Sequence, residues 1–223
     1  MRTDTAIRLD VTAELASDPS VRHEDIAVAV MGGVVTLAGH VDSYAQRYAA
    51  GLAVGRVRGV CAVVNDLTIK LPGHLVRTDS EIAHAGVEML RWHSEVPDDR
   101  LRLKVENGWV TIEGQLDWHF QKEAAERVIR SLSGVRGMTS LITLKAMPVA
   151  SDIRDRIHTG LRRQAEFDAD LITVETAGSR VTLRGTVQSI AERRAAERAV
   201  WNAPGVTHVD DEMVIVTPQP LLM

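Results

Sequence analysis

The sequence repeats itself three times, and this repetition constrains the fold more than any other feature of the chain. A shift of 75 residues carries Gly39 onto Gly114, and a further shift of 71 residues carries Gly114 onto Gly185. Across these shifts nine positions keep the same residue in all three copies, including a second glycine 20 positions after the first, at Gly59, Gly134 and Gly205. The chain of 223 residues is therefore predicted to form three similar domains in tandem.

Proline and glycine mark the junctions between the copies, where the two shifts differ. The first junction contains Pro72 and Gly73, and the second contains Pro148. Both residue types interrupt regular structure, so we predict domains at residues 1–71, 77–146 and 149–217. Domains of about 65 to 70 residues bury a limited fraction of their surface, which favours docking between neighbours. Linkers with one proline each are equally compatible with separate domains on short tethers.

Each copy changes its hydrophobic period in the same order along the chain. Ile7, Val11 and Leu15 recur every four residues, which is typical of an amphipathic helix. Two alternating segments follow and predict strands, joined by turn-forming dipeptides at Gly32–Gly33, Asn107–Gly108 and Gly178–Ser179. A helix with a stripe of small residues comes next, followed by an apolar strand. The first helices are predicted to have as N-caps Asp4, Asp79 and Ser151.

The glycines at the second set of repeated positions indicate where the second helix of each copy stops. Glycine is the usual residue at a helix C-terminus because it adopts a left-handed conformation without strain. These observations predict an α+β fold of three tandem αββαβ domains, each with a small three-stranded sheet packed against two helices. We expect a structural role for both glycine sets, which are Gly39, Gly114, Gly185, Gly59, Gly134 and Gly205.

The strand after each hairpin carries a motif that is similar to that of the BON domain family. The motif reads GVVTLAGHV at residues 33–41, GWVTIEGQL at residues 108–116 and SRVTLRGTV at residues 179–187. The third copy departs from it at Ser179, where the family has glycine. Members of this family occur among osmotically inducible proteins, secretins and mechanosensitive channels. The resemblance implies a lipid- or membrane-associating module, which we expect to be a stress-related binding protein without enzymatic activity.

Residue types that carry catalysis or metal binding do not form a constellation in this sequence. The repeated glycines lack the dense spacing of a phosphate-binding loop. Cys61 is the only cysteine, with no histidine nearby in the sequence, and the eight histidines show no paired zinc-ligand spacing. We therefore predict no catalytic residues, no metal site and no cofactor.

Charge makes nucleic acid an improbable partner and leaves one basic cluster to explain. The chain has a formal net charge of −4 and an isoelectric point near 6.1, whereas nucleic-acid binders usually carry a basic excess. The cluster lies on the second helix of the third copy, interleaved with Glu192 and Glu197, and consists of Arg193, Arg194 and Arg198. Its ordinary interpretation is a solvated face with salt bridges, and the alternative is a contact to anionic headgroups.

Three of the four tryptophans fall in the second copy, at Trp92, Trp109 and Trp118. The other copies have polar or aliphatic residues at these positions, so the shared fold does not require the aromatic rings. Strand parity predicts that Trp109 points away from the face that buries Val110 and Ile112. These rings are candidate contacts for a membrane or a protein partner, and the alternative is that they pack against a neighbouring domain.

The N-terminal sequence indicates where the protein acts. Residues 1–15 carry five charges and no apolar run typical of a signal peptide, and no segment has the roughly 18 apolar residues of a membrane span. We expect a cytoplasmic protein, with peripheral attachment to a membrane as one alternative. The expected partners are a phospholipid surface or another protein. A chaperone-like adaptor and a sensor of small ligands or ions remain as alternative functions.

Overall fold

The computed structural model describes residues 2–146, 153–162 and 171–216. The chain divides into two compact units. The first unit contains most of the first copy and the third copy, over Met1–Gly39, Tyr48–Thr68 and Met147–Met223. The second unit contains the second copy and a short segment of the first, over His40–Arg47 and Ile69–Ala146. The order of the copies along the chain therefore differs from their grouping in space.

The predicted α+β fold of three αββαβ copies is confirmed. The first copy contains α1 (Asp4–Ser17), β1 (Ile26–Met31), β2 (Val34–Val41), α2 (Tyr44–Arg56) and β3 (Ala62–Ile69). The second contains α3 (Asp79–Trp92), β4 (Leu101–Glu106), β5 (Trp109–Leu116), α4 (His119–Ser131) and β6 (Gly137–Leu144). The third contains α5 (Ile153–Arg162), β7 (Ile172–Ala177), β8 (Arg180–Val187), α6 (Ile190–Trp201) and β9 (His208–Ile215). Short 3₁₀ helices lie at Gly73–Leu75 and Asp98–Arg100.

Each sheet places the second strand of its copy in the middle, in the orders β1-β2-β3, β4-β5-β6 and β7-β8-β9. In the second and third sheets the first two strands pair antiparallel, whereas the second and third strands pair parallel. Because parallel neighbours need a long crossover connection, α4 and α6 supply it. The motif strand is thus flanked on both sides, and alternate residues along it are buried.

The core of the second copy shows how the helices cover one face of the sheet. Val110 and Ile112 on β5 are fully buried, together with Ile82 of α3 and Ala125 of α4. Alanine in α4 brings this helix close to the strands. Gly86 does the same for α3, because a Cβ at this position would lie 2.8 Å from Cδ1 of Leu103. On the opposite face of the sheet, side chains such as Trp109 and Glu113 are exposed.

The hairpin turns fit the dipeptides that predict them. Gly32 and Gly33 both have positive φ, and so do Asn107 and Gly108. Positive φ at both central residues is the pattern of a type I′ turn, which matches the right-handed twist of the flanking strands. In the third hairpin only Gly178 has positive φ, at 61°. This is the φ pattern of a type II′ turn, which needs glycine at the first central position alone and so tolerates Ser179.

Two helices begin one residue earlier than predicted. The N-caps are Thr3 and Thr78, whose hydroxyls accept hydrogen bonds from Ala6 and Glu81 amides, and not Asp4 and Asp79. Threonine caps a helix as aspartate does because its side-chain oxygen reaches the free amides of the first turn. The predicted cap at Ser151 lies outside the described residues.

The second helices end before the glycines that were predicted to stop them. Helix α2 ends at Arg56, α4 at Ser131 and α6 at Trp201. The three glycines lie in the turns that follow, with φ near 90°, at Gly59, Gly134 and Gly205. Their left-handed conformation turns the chain into the last strand of each copy. The glycines therefore lie in the turn after each helix and not at the helix end, where they were predicted.

Candidate functional site

Asp4 and Asp79, which were predicted to be N-caps, instead connect the first helix of their copy to the hairpin of the same copy. The carboxylate of Asp4 accepts hydrogen bonds from the amides of Gly32 and Gly33, at 2.8 and 3.1 Å. Asp79 accepts equivalent bonds from Asn107 and Gly108, at 2.7 and 2.8 Å. The aspartate is identical in the first two copies and is Ala150 at the aligned position of the third. That identity was the sequence signal for this contact.

The glycines within the motif strands lie where a side chain has no room. A Cβ on any of them would lie far inside van der Waals distance of a backbone carbonyl oxygen just before the first strand. The glycines are Gly39, Gly114 and Gly185, and the oxygens belong respectively to Asp25, Arg100 and Leu171. All three glycines also have positive φ. The geometry gives them a packing role within the sheet.

The side chain of Trp109 packs against its own sheet. Its ring lies over Gly137 of the neighbouring strand β6, in space that a Cβ of residue 137 would occupy. Its indole nitrogen donates a hydrogen bond of 2.9 Å to Oγ1 of Thr139. The residue is still 47% exposed and lies on the face opposite Val110, as strand parity predicts. The ring therefore covers the open face of the second sheet and keeps one side accessible.

Trp118 and Trp92 stand at the ends of two helices. Trp118 is the N-cap residue of α4, where its amide donates a hydrogen bond of 3.1 Å to Oε1 of Gln121, and it is 37% exposed. Trp92 is the last residue of α3 and is 83% exposed. Of the three candidate tryptophans it is the one whose ring is least used by its own domain.

Helix α3 carries a second apolar stripe beside the one that it buries. Ile82, Gly86 and Leu90 form its core face. Ala85, Met89 and Trp92 are exposed and are spaced by four and three residues, which places them along one side of the helix. We call these three residues the α3 stripe. An apolar stripe in water is a candidate contact surface.

The three arginines of α6 separate into two environments. Arg193 forms an ion pair with Asp211 of β9, within the third copy. Arg194 and Arg198 line a cleft of about 490 Å³ between α6 and α2, together with Arg56 and Arg58. The sequence suggested the cluster, but only the structure adds the two arginines of the first copy.

Beside Arg193, two carboxylates share one site. Burial and a hydrogen bond to Asp211 raise the pKa of Glu197 to about 7. The pKa of Asp211 is lowered by its hydrogen bonds to Glu197, Arg193 and the amide of Met213, against the effect of its partial burial. Glu197 consequently stays partly protonated near neutral pH, whereas Asp211 is ionised. This is a hydrogen-bonded carboxyl pair anchored by one guanidinium.

Cys61 and His119 are two further side chains with reactive groups. Cys61 is exposed, next to the first hairpin. Burial lowers the pKa of His119 to about 4, so this ring is neutral at physiological pH. Within the described ranges, no three His, Cys, Asp or Glu side chains are grouped to hold a metal ion. In the same part of the chain, no helix has the length and apolar character to cross a membrane.

These features define the class of the protein as an array of small αββαβ domains with exposed surface patches. The sequence model of the BON domain matches three stretches, residues 3–70, 78–146 and 150–217. The chain therefore belongs to the BON domain family. It is similar to osmotically-inducible protein Y of Escherichia coli strain K12, with 28% identity over 150 residues that cover 64% of this chain and 73% of that protein.

Among solved structures, the chain is similar to CdsD, a structural protein of the type III secretion system of Chlamydia trachomatis. The sequence identity is 14%, with 95% of this chain and 92% of that chain covered, and the TM-score is 0.28. A second similarity is to the PrgH periplasmic domain, at 10% identity, with 93% and 99% covered and a TM-score of 0.22. Neither similarity carries an argument about function.

Proposed function

We propose that this BON-domain chain is a stress-related, non-enzymatic binding protein that contacts phospholipid membranes through the α3 stripe. The observation that carries the proposal is the exposure of Trp92 at the end of α3, with Met89 one turn before it. The similarity to osmotically-inducible protein Y supports the connection with stress.

A membrane interface suits the chemistry of this surface. Tryptophan combines a large apolar ring with a polar N–H, so it prefers the boundary between headgroups and acyl chains. Methionine is flexible and adapts to an irregular apolar environment. The stripe lies along a helix whose other side is anchored in the core by Ile82 and Leu90, so these side chains reach a bilayer without unfolding of the domain.

Vesicle co-sedimentation of the full chain tests this function. We expect binding to vesicles of phosphatidylcholine with phosphatidylglycerol, and a loss of at least about fivefold in affinity for Trp92→Ala, because burial of the ring contributes most of the contact. Met31→Ala is the matched control, since Met31 is 82% exposed but lies on the first sheet. Equal binding by both variants, or none by the unmodified chain, would refute the proposal.

A protein-binding, chaperone-like function is the second candidate, and the open face of the first sheet favours it. Ala27, Ala29, Met31 and Val34 are exposed there. The same face of the third sheet instead carries ion pairs of Arg180 with Asp210 and of Arg184 with Glu175 and Glu212. Suppression of the aggregation of an unfolded client, abolished by Met31→Glu and retained by Trp92→Ala, would support this function over membrane binding.

A further inference from the structure

A cleft in the first unit collects arginines from two different copies. It has a volume of about 490 Å³ and lies between α6 and the last part of α2 with the turn that follows it. Leu52, Gly55, Arg56 and Arg58 line one side, and the opposite side includes Ala191, Arg194 and Arg198. The volume is in the range of sites for small molecules.

Two contacts between the copies hold the walls of this cleft in place. A Cβ at position 55 would lie 3.3 Å from Cγ2 of Ile190, so glycine lets α2 approach α6 closely. The amide of Gly59 donates a hydrogen bond of 3.5 Å to the carbonyl oxygen of Gln188. Both contacts are made by the turns and helix ends that carry the arginines. The backbone segments that carry the arginines are therefore held together by packing between copies.

The charges that line the cleft are predominantly positive. Arg56 is neutralised by Glu14 and Asp18, at 2.6 and 2.7 Å. The one acidic residue of the lining, Glu192, uses its carboxylate to accept a hydrogen bond of 2.8 Å from the amide of Gln188. Three further arginines, Arg58, Arg194 and Arg198, also line the cleft, and within the described residues the guanidinium of Arg58 has no ion pair. In a chain with a net charge of −4, this is a local concentration of positive charge.

The repeated fold does not require Arg58 or Arg194. Arg58 aligns with Ser133 and Pro204 in the other copies, and Arg194 aligns with Tyr48 and Glu123. The two residues come from different copies and different positions of the repeat, yet they line one cleft. An anion-binding site requires several cationic side chains to line one cleft, whereas an ordinary solvated surface has no such requirement.

We infer that this cleft binds a small molecule that carries a phosphate group. Planar guanidinium groups bind phosphate oxygens with paired, charge-assisted hydrogen bonds. Arg58, Arg194 and Arg198 surround the phosphate, and Leu52 with Ala191 supply an apolar wall for the rest of the molecule. The inference is independent of the proposed membrane contact through α3, because it uses other residues in the other unit. The phosphate belongs either to a soluble compound or to a lipid headgroup.

Thermal unfolding of the full chain with inorganic phosphate as the probe tests the site. We expect the melting temperature to rise with phosphate concentration beyond its rise in sodium chloride at matched ionic strength, because the folded state alone has the site. The double variant Arg58→Ala/Arg194→Ala is expected to weaken binding at least about tenfold. The matched control is Arg127→Ala, which removes the exposed arginine aligned with Arg198 in the second copy, and it should bind as the unmodified chain does.

A second pair of measurements separates the two sources of phosphate and guards against misfolding. Double replacement of Arg58 and Arg194 by lysine keeps the charge but loses the planar geometry, and we expect intermediate affinity. Vesicles containing phosphatidylglycerol are tested with the Trp92→Ala chain, so that the α3 stripe does not contribute. Vesicle binding that needs Arg58 and Arg194 identifies a headgroup, and phosphate binding without it identifies a soluble ligand. If phosphate stabilises no more than chloride and vesicle binding ignores both arginines, the inference is overturned.

Discussion

At the scale of single residues, glycine is repeated in the central strand of each sheet because the backbone of the neighbouring strand passes very close to it. Gly114 has φ of +151° and its missing side chain leaves room for the carbonyl oxygen of Arg100. A glycine repeated at fixed spacing indicates that a side chain is excluded at that position. The sequence does not indicate which atom excludes it. The carbonyl lies on the residue before the neighbouring strand, and strand pairing alone reveals it.

We expect Gly114→Ala to lower the free energy of unfolding by about 3 kcal/mol, because the added Cβ forces the two strands apart and strains the backbone. Urea denaturation measures this. Gly73→Ala is the control, since a Cβ there meets nothing within 4 Å, and its midpoint should stay close to that of the unmodified chain. An unchanged midpoint for Gly114→Ala combined with lost binding would instead make this glycine a ligand contact.

Glu197 makes stability depend on pH in a defined direction. Its pKa is about 7 in the folded chain, against an ordinary value of 4.5, so the folded state holds a proton that the unfolded state releases. The resulting stabilisation is complete below pH 4.5 and is lost as the pH rises through 7. Glu197→Gln mimics the protonated carboxyl, so it should melt higher than the unmodified chain at pH 8 and nearly the same at pH 4.5. Glu113→Gln, on the exposed side of β5, serves as the control. If the melting temperatures of both variants depend on pH in the same way, the raised pKa does not belong to Glu197.

At the scale of elements, the aspartate at the start of the first helix connects helix and hairpin. We expect Asp79→Ala to lower the free energy of unfolding by about 2 kcal/mol, because two amides in the turn lose charge-assisted hydrogen bonds. Hydrogen exchange at Asn107 and Gly108 should also accelerate. Asp98→Ala, which removes an exposed carboxylate in the 3₁₀ helix, provides the comparison. Equal midpoints and equal exchange for the two variants would show that the carboxylate does not hold the turn.

Residues that open the second helices also make contacts outside their own copies. Ile190, the first residue of α6, lies against Gly55 of the first copy. Tyr44, the first residue of α2, packs against the core of the second copy. The two residues occupy the same position of the repeat. Hydrophobic periodicity does not identify this position, because it lies at the edge of the helical pattern.

At the scale of the whole molecule, grouping of the first and third copies affects how the chain tolerates truncation. A chain that stops after Lys145 keeps two complete copies but loses the third. Gly55, which lies against Ile190 of the third copy, and Leu52, which lines the cleft between the two copies, then become exposed. We expect it to unfold cooperatively, because each copy has its own core, and at a lower temperature than the full chain. Calorimetry measures both properties. A truncated chain without a cooperative transition would show that the copies cannot fold separately, and an unchanged melting temperature would show that the contact adds no stability.

The sequence by itself determined the number of copies, the order of helices and strands in each, and the positions that require glycine. These properties depend on local periodicity and on backbone conformation, which every copy displays three times. Only the tertiary structure decided that β2, β5 and β8 are central, that Asp4 and Asp79 hold hairpins, and that Arg58 joins Arg194 in one cleft. The physical reason is that such contacts join residues far apart in the chain through packing of complete elements, and no local pattern of residues records which surfaces meet.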